Sequence, residues 1–322
     1  MQRGNLIDTL PVTHSHCNES SEVMAKEQQN RCKVECVLRN QAILGESPIW
    51  DPHEKVLFWV DIEAHDIHRF HPDSGVNDTF HLPQIVSSIA LREQGGLIIT
   101  VKDNFAFFDP DTGQLDLLGG PQLDMSECRF NDGKCDRQGR FWAGTMNLVH
   151  YDAPSGNLYR FDPDGRITRA LSQVRLSNGL GWSPDNRVMY FAESFRHCIH
   201  AFDFDPAEGT ISNQRVFASV DENSTGVPDG LTVDAEGCVW NAQPGLGQVV
   251  RYSPSGEVES VIELPVPRPT SCIFGGENLE VLYVTSATET LTAEQLAQAP
   301  LSGGLFALVP GVRGLPEPRF AG

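Results

Sequence analysis

Short apolar runs separated by polar turns dominate the chain. Ser47-Pro-Ile-Trp50 is followed by a polar turn and Val56-Leu-Phe-Trp-Val60, and Leu180-Gly-Trp182 by another turn and Val188-Met-Tyr-Phe191. Runs this short, rich in aromatic and β-branched residues and bounded by turn formers, predict β-strands. Downstream of the strand pairs an aromatic residue leads into a Pro-containing turn that ends in Gly. The copies are Phe70-His-Pro-Asp-Ser-Gly75, Phe108-Asp-Pro-Asp-Thr-Gly113, Phe161-Asp-Pro-Asp-Gly165, Phe204-Asp-Pro-Ala-Glu-Gly209, Tyr252-Ser-Pro-Ser-Gly256 and the degraded Leu308-Val-Pro-Gly311. Pro and Gly at these offsets preset a tight turn between strands.

The last apolar residue of each first strand gives the anchors Trp50, Leu91, Cys135, Trp182, Val233 and Phe274, spaced 41, 44, 47, 51 and 41 residues apart. Several short strands repeating every ~40–50 residues predict the blades of a β-propeller. The expectation is all-β, six blades of four strands each, over residues 31–322. The sixth copy lacks a fourth strand after Leu308, whereas Val34-Glu-Cys-Val-Leu38 alternates like a strand with no blade of its own, so it is expected to close the ring. Residues 1–30 are too polar to pack and are expected to form a tail outside the fold.

In a propeller the loop entering each innermost strand reaches one mouth of the central channel. The residue four before each anchor therefore occupies equivalent places in all blades: Glu46, Ser87, Asn131, Asn178, Asp229 and Thr270. All six offer oxygen. Asn131-Asp-Gly133, Asn178-Gly179 and Asp229-Gly230 add a glycine that lets backbone approach the channel closely. Two carboxylates and two amide oxygens from different blades suit a hard divalent cation: Ca²⁺ first, with Mg²⁺, Mn²⁺, Zn²⁺ or Fe²⁺ as alternatives.

Charge agrees with a cation-binding protein. Lys and Arg number 24 against 43 Asp and Glu, a net charge of −19 with no basic run, which excludes nucleic acid and anionic membranes as partners. No apolar stretch approaches the ~20 residues that span a bilayer, and the N-terminus lacks a signal-peptide core, so the expected location is cytoplasmic. The eight scattered cysteines read as reduced thiols. His65, His68 and His71 alternate faces on a strand, cannot converge, and read as hairpin surface. Gly45-Glu-Ser-Pro-Ile49 lacks the closing glycine of a nucleophile elbow, which argues against a serine hydrolase.

Leu44-Gly-Glu-Ser-Pro-Ile-Trp50, Arg129-Phe-Asn-Asp-Gly133 with Gly139-Arg-Phe-Trp-Ala-Gly-Thr-Met146, Ser177-Asn-Gly-Leu180 and Pro228-Asp-Gly-Leu231 resemble the gluconolactonase/regucalcin (senescence marker protein) family, from about residue 33 to the C-terminus. The resemblance implies Glu46, Asn178 and Asp229 as metal ligands, Arg129 and Asn131 as the substrate-contacting pair, and Asp229 as general base. It further implies hydrolysis of a sugar-acid lactone, a small-molecule substrate; the expected assembly is a monomer or weak homo-oligomer. One departure stands out: animal members carry acidic residues just after Gly-Thr-Met, on a lid loop, where this chain has Asn147-Leu-Val-His150, more like the microbial sugar lactonases. The same ring is similar to that of diisopropyl fluorophosphatase, so an organophosphate hydrolase and a non-catalytic calcium-binding propeller stay open. The lid and the stretch Glu193-Ser-Phe-Arg-His197 are expected to select the substrate.

Overall fold

The computed structural model describes residues 33–121 and 127–322; the tail assigned to residues 1–30 lies outside the described residues. Six four-stranded antiparallel sheets are present. Five are built in chain order outward from the inner strands Gly45–Asp51, Val86–Leu91, Cys128–Cys135, Ser177–Trp182 and Leu231–Val233. The sixth runs Pro269–Gly275, Val281–Ser286, Leu305–Leu308 and is completed by Glu35–Leu38, which pairs antiparallel with Leu305–Leu308. Inner strands of successive blades touch in cyclic order, the last against the first. The protein is a six-bladed β-propeller, as the period predicts. Among the described residues no helix is long and apolar enough to cross a membrane.

Burial falls from the axis outward. Every residue of Gly45–Asp51 is buried, whereas Val76–His81 at the rim of the same blade is exposed or half-buried throughout. Inner strands are covered on both faces by neighbouring blades, which is why they read as continuous small and apolar runs rather than alternating ones. The recurring turn behaves as its residues demand: Gly75, Gly113, Gly165, Gly209, Gly256 and Gly311 all have φ between 62 and 89°. A side chain rarely tolerates that left-handed conformation.

The two mouths of the channel differ. At the C-terminal ends of the inner strands the last residues of the chain run across the ring as a strap. Arg313 O accepts from Ala235 N, Gly314 N donates to Leu279 O, and Arg319 reaches Asp51 at 2.8 Å. Phe320 exchanges backbone bonds with Leu91 and Glu93, and Ala321 N donates to Gly139 O. Five blades are thereby tied together at this end, and Glu317 accepts from Lys134 Nζ near the axis. The Phe320 ring is 1% exposed and stacks on Phe161 at 5.6 Å beside Phe107. Phe320→Ala is expected to cost about 3–5 kcal/mol, since an aromatic knob leaves a cavity that neighbouring blades cannot close. At roughly 2–4 °C per kcal/mol, thermal unfolding should shift down by on the order of 10 °C; an unchanged Tm would show the strap to be ornamental.

Candidate metal centre

The six oxygen-bearing residues do meet at the other mouth, but five lie inside their strands rather than in the entering loops. The ladder to the second strand slips at that level in five blades, between Glu46 and Ile49, Val86 and Ser88, Phe130 and Gly133, Ser177 and Leu180, and Pro269 and Cys272. A bulge leaves an extra residue unpaired and re-aims its side chain. Asp229 stands just ahead of Leu231–Val233, with its N–H bonded to Ala242 O. The glycines that follow are demanded by crowding, not by φ: a Cβ would lie 2.8 Å from Ser88 Oγ at Gly133, 2.6 Å from Asp229 O at Gly179 and 2.0 Å from Ser271 Oγ at Gly230. Adjacent blades touch at these points.

Two of the six are already engaged. Ser87 Oγ bonds Thr100 Oγ1 at 2.8 Å, and Thr270 Oγ1 bonds Gly45 O and Thr285 Oγ1, which pins blades together. Glu46, Asn131, Asn178 and Asp229 remain, each less than 9% exposed.

Chains of hydrogen bonds set how the two amides point. Ser194 Oγ donates to Pro228 O at 2.7 Å, so it accepts from Asn178 Nδ2, also at 2.7 Å, and Asn178 Oδ1 is left facing the ring. Asn131 Nδ2 donates to Ser177 O at 2.8 Å and to Asn178 Oδ1 at 2.7 Å, while its Oδ1 accepts from Arg129 Nη1 at 2.6 Å. Carbonyls only accept, so neither amide can be flipped without losing a bond. Asn178 therefore presents a free lone pair, and Asn131 is held by Arg129.

The carboxylates are the unbalanced part. Asp229 Oδ1 is buried and has no hydrogen-bond partner among the described residues. Burial and the charge of neighbouring Asp132 hold the Asp229 carboxyl well above its ordinary range; burial, then Asp229 and Asp132, do the same to Glu46. Burial pushes Asp132 up to about 6 against the pull of Lys134. Like carboxylates out of water destabilise one another unless a cation sits among them. Arg129 is buried, with Nε unpartnered, and makes no ion pair among the described residues. An all-oxygen set of Glu46, Asn178 and Asp229 with a bare Asp229 oxygen thus fits a hard divalent cation, which that set would hold.

Asp132 and Arg268 are residues of this mouth that no motif singles out, and Ser194 lies in the stretch expected to select the substrate. Asp132 was seen only as the middle of Asn131-Asp-Gly133. Ser194, fully buried in a short 3-10 turn (Ser194–Arg196), orients Asn178. Arg268 stands two residues before Thr270, the offset Arg129 has from Asn131, and that repeat could have revealed it. Glu193 turns away from the channel: its carboxylate accepts from Arg175 N and Arg196 and pairs with buried His200, so it bolts the 3-10 turn in place. His68 corrects the hairpin-surface reading. It is 3% exposed, stacked on Trp59 with ring centroids 4.0 Å apart, because strand Asp66–His71 turns it into the blade. A second group of ligand-type side chains, Asp234, Glu236 and Cys238, brings donor atoms within 4.8 Å, but Arg251 already pairs with both of its acids. The six described cysteines are free thiols.

Residues 44–288 match the SMP-30/gluconolactonase/LRE-like region, three-quarters of the chain with every ring residue inside. The chain belongs to this family. It is 41% identical over 292 residues to the 6-deoxy-6-sulfogluconolactonase of Pseudomonas putida, covering 90% of this chain and 99% of that protein. Identity to Sus scrofa regucalcin is 38% over 298 residues, with the same coverage. Among solved structures, a calcium-binding regucalcin from Agrobacterium tumefaciens superposes with a TM-score of 0.83 at 29% identity, covering 88% of this chain and 96% of that one.

Proposed function

We propose that this propeller hydrolyses a sugar-acid lactone to the open aldonic acid with the help of one divalent cation held by Glu46, Asn178 and Asp229. The observation that carries the reading is the buried, unpartnered Asp229 oxygen beside a second buried carboxylate and an uncompensated Arg129. Relatives named as a sulfogluconolactonase and as calcium-binding regucalcin support the substrate class and the type of cation. The cation's chemistry would be to polarise the ester carbonyl and acidify water. Asp229 accepts the proton of the attacking water, a role suited to a carboxylate raised by burial. Arg129, with Nη1 on Asn131 Oδ1, turns its remaining N–H groups toward substrate hydroxyls and the developing oxyanion. Asn131, held on both sides, keeps that guanidinium in place.

Metal-stripped protein should open no lactone in a panel of aldonolactones and should recover turnover when Ca²⁺, Mg²⁺, Mn²⁺, Zn²⁺ or Fe²⁺ is added singly. Full activity in excess chelator would end the metal assignment. Turnover of diisopropyl fluorophosphate with no lactone opened would move the same ring to phosphorus chemistry, and cation binding without either activity would leave a calcium-binding propeller.

A further inference from the structure

The residues two before the ring positions are Leu44, Ile85, Arg129, Leu176, Val227 and Arg268. Four are apolar, and the two arginines belong to blades three and six, opposite each other in a six-membered ring. A neutral lactone gives work to one of them. Arg129 already bonds Asn131 and faces the reaction centre. Arg268 is a second cation with no assigned task.

Arg268 is half-buried, with Nε sealed from water and unpartnered, and its guanidinium has no hydrogen bond or ion pair among the described residues. Arg140, Arg160 and Arg251, by contrast, are spent on Asp136, Asp162 and Asp234. Arg268 is nonetheless at the mouth: its charge acts on Asp229 and Glu289 against the burial that raises both carboxyls. Pro267 and Pro269 flank it and restrict the backbone on either side, so the guanidinium stands on a stiff base. Glu63 and Glu289, the acids that share this mouth, make no ion pair with either arginine. The lid Asn147-Leu-Val-His150 carries no acid, and Val149 within it and Tyr151 just beyond it are exposed. A guanidinium partly out of water with open donors matches an oxyanion, which it grips through two parallel N–H bonds.

We propose that the lactone opened at this site carries an oxyanion substituent remote from its ester, and that Arg268 binds that substituent and so sets the substrate class. The inference rests on the lactonase reading and names its substrate. Sulfonate, phosphate and carboxylate share the recognised chemistry.

Steady-state kinetics of the cation-loaded full chain, with glucono-1,5-lactone and its 6-sulfonate, 6-phosphate and 6-carboxylate counterparts, test it. The parent should favour at least one charged lactone in kcat/KM, and the preferred one identifies the oxyanion. Arg268→Gln should cut the charged-to-neutral ratio about 10–100-fold, mostly through KM, the loss expected for one charge-assisted contact. Arg268→Lys should restore part of the ratio, since a point charge replaces the fork. A structural role, or one exerted through Asp229, would lower both substrates alike and leave the ratio unchanged, which overturns the inference. No preference in the parent does the same. Calorimetric titration with the ring-opened 6-sulfonated and neutral aldonates separates this idea from the reaction. If no lactone is opened, the lactonase reading fails, and charged-aldonate affinity unaffected by Arg268→Gln sinks the Arg268 assignment by itself.

Discussion

Asp229→Asn, saturated with its activating cation, is expected to open lactone about 10²–10⁴-fold more slowly than the parent, the share that a positioned general base contributes. The substitution keeps an oxygen on the ring and removes the ability to take a proton. Cation affinity should fall moderately, and excess cation should restore occupancy without restoring kcat. The amide has an unpartnered oxygen position to inherit, because Asp229 Oδ1 bonds nothing among the described residues. Arg129→Ala provides the contrast: cation binding intact, with the loss in kcat/KM. A parental rate from saturated Asp229→Asn would remove Asp229 as the base and send the proton elsewhere.

Glu46→Gln should weaken cation binding by more than the roughly 10–100-fold that loss of an outer-shell partner costs, and should abolish turnover at ordinary cation concentrations. The same change should leave the metal-free protein at least as stable as its parent. Burial raises the Glu46 carboxyl first, and the charges of Asp229 and Asp132 raise it further, so the metal-free fold holds like charges apart from water. The sign of the pH effect follows. A carboxyl raised in the folded state binds its proton more tightly there than in the unfolded chain, so stability is gained below the folded pKa and lost as pH rises through it. Glu46→Gln should flatten that slope and erase the gain in Tm on adding cation. Calorimetric titration and thermal melts with and without chelator read both effects. An unchanged cation affinity would remove Glu46 from the site.

The propeller was legible because its signal is local and repeated. Phe-Asp-Pro-Asp-Thr-Gly113 and its five counterparts mark the same turn in each blade, and an amino acid's tolerance for φ near +70° does not depend on the rest of the fold. The same repetition gave the ring, since equal offsets from Trp50, Leu91, Cys135, Trp182, Val233 and Phe274 place residues at equal depth, and it placed Val34–Leu38 in the sixth blade. It carried Glu46, Asn178 and Asp229 as candidates but could not separate them from Ser87 and Thr270. Those two hydroxyls are consumed by Thr100 and by Gly45 O and Thr285, partners 13 to 225 residues away.

Long-range contacts decided the rest. Ser194 controls Asn178 only because Pro228 O from the next blade accepts its proton. His68 is buried only because Trp59 on the adjacent strand lies beneath it. Asp132, 97 positions away in sequence, raises the Asp229 carboxyl only because the closed ring brings non-adjacent blades three and five near one another. Arg129 and Arg268 make no ion pair among the described residues of a strongly acidic chain, and no count of charges reveals which cations are left open. Periodicity along the chain fixes which residues share a height in the ring; which of them are satisfied, repelled or left open depends on distances between blades, and those exist only once the ring has closed.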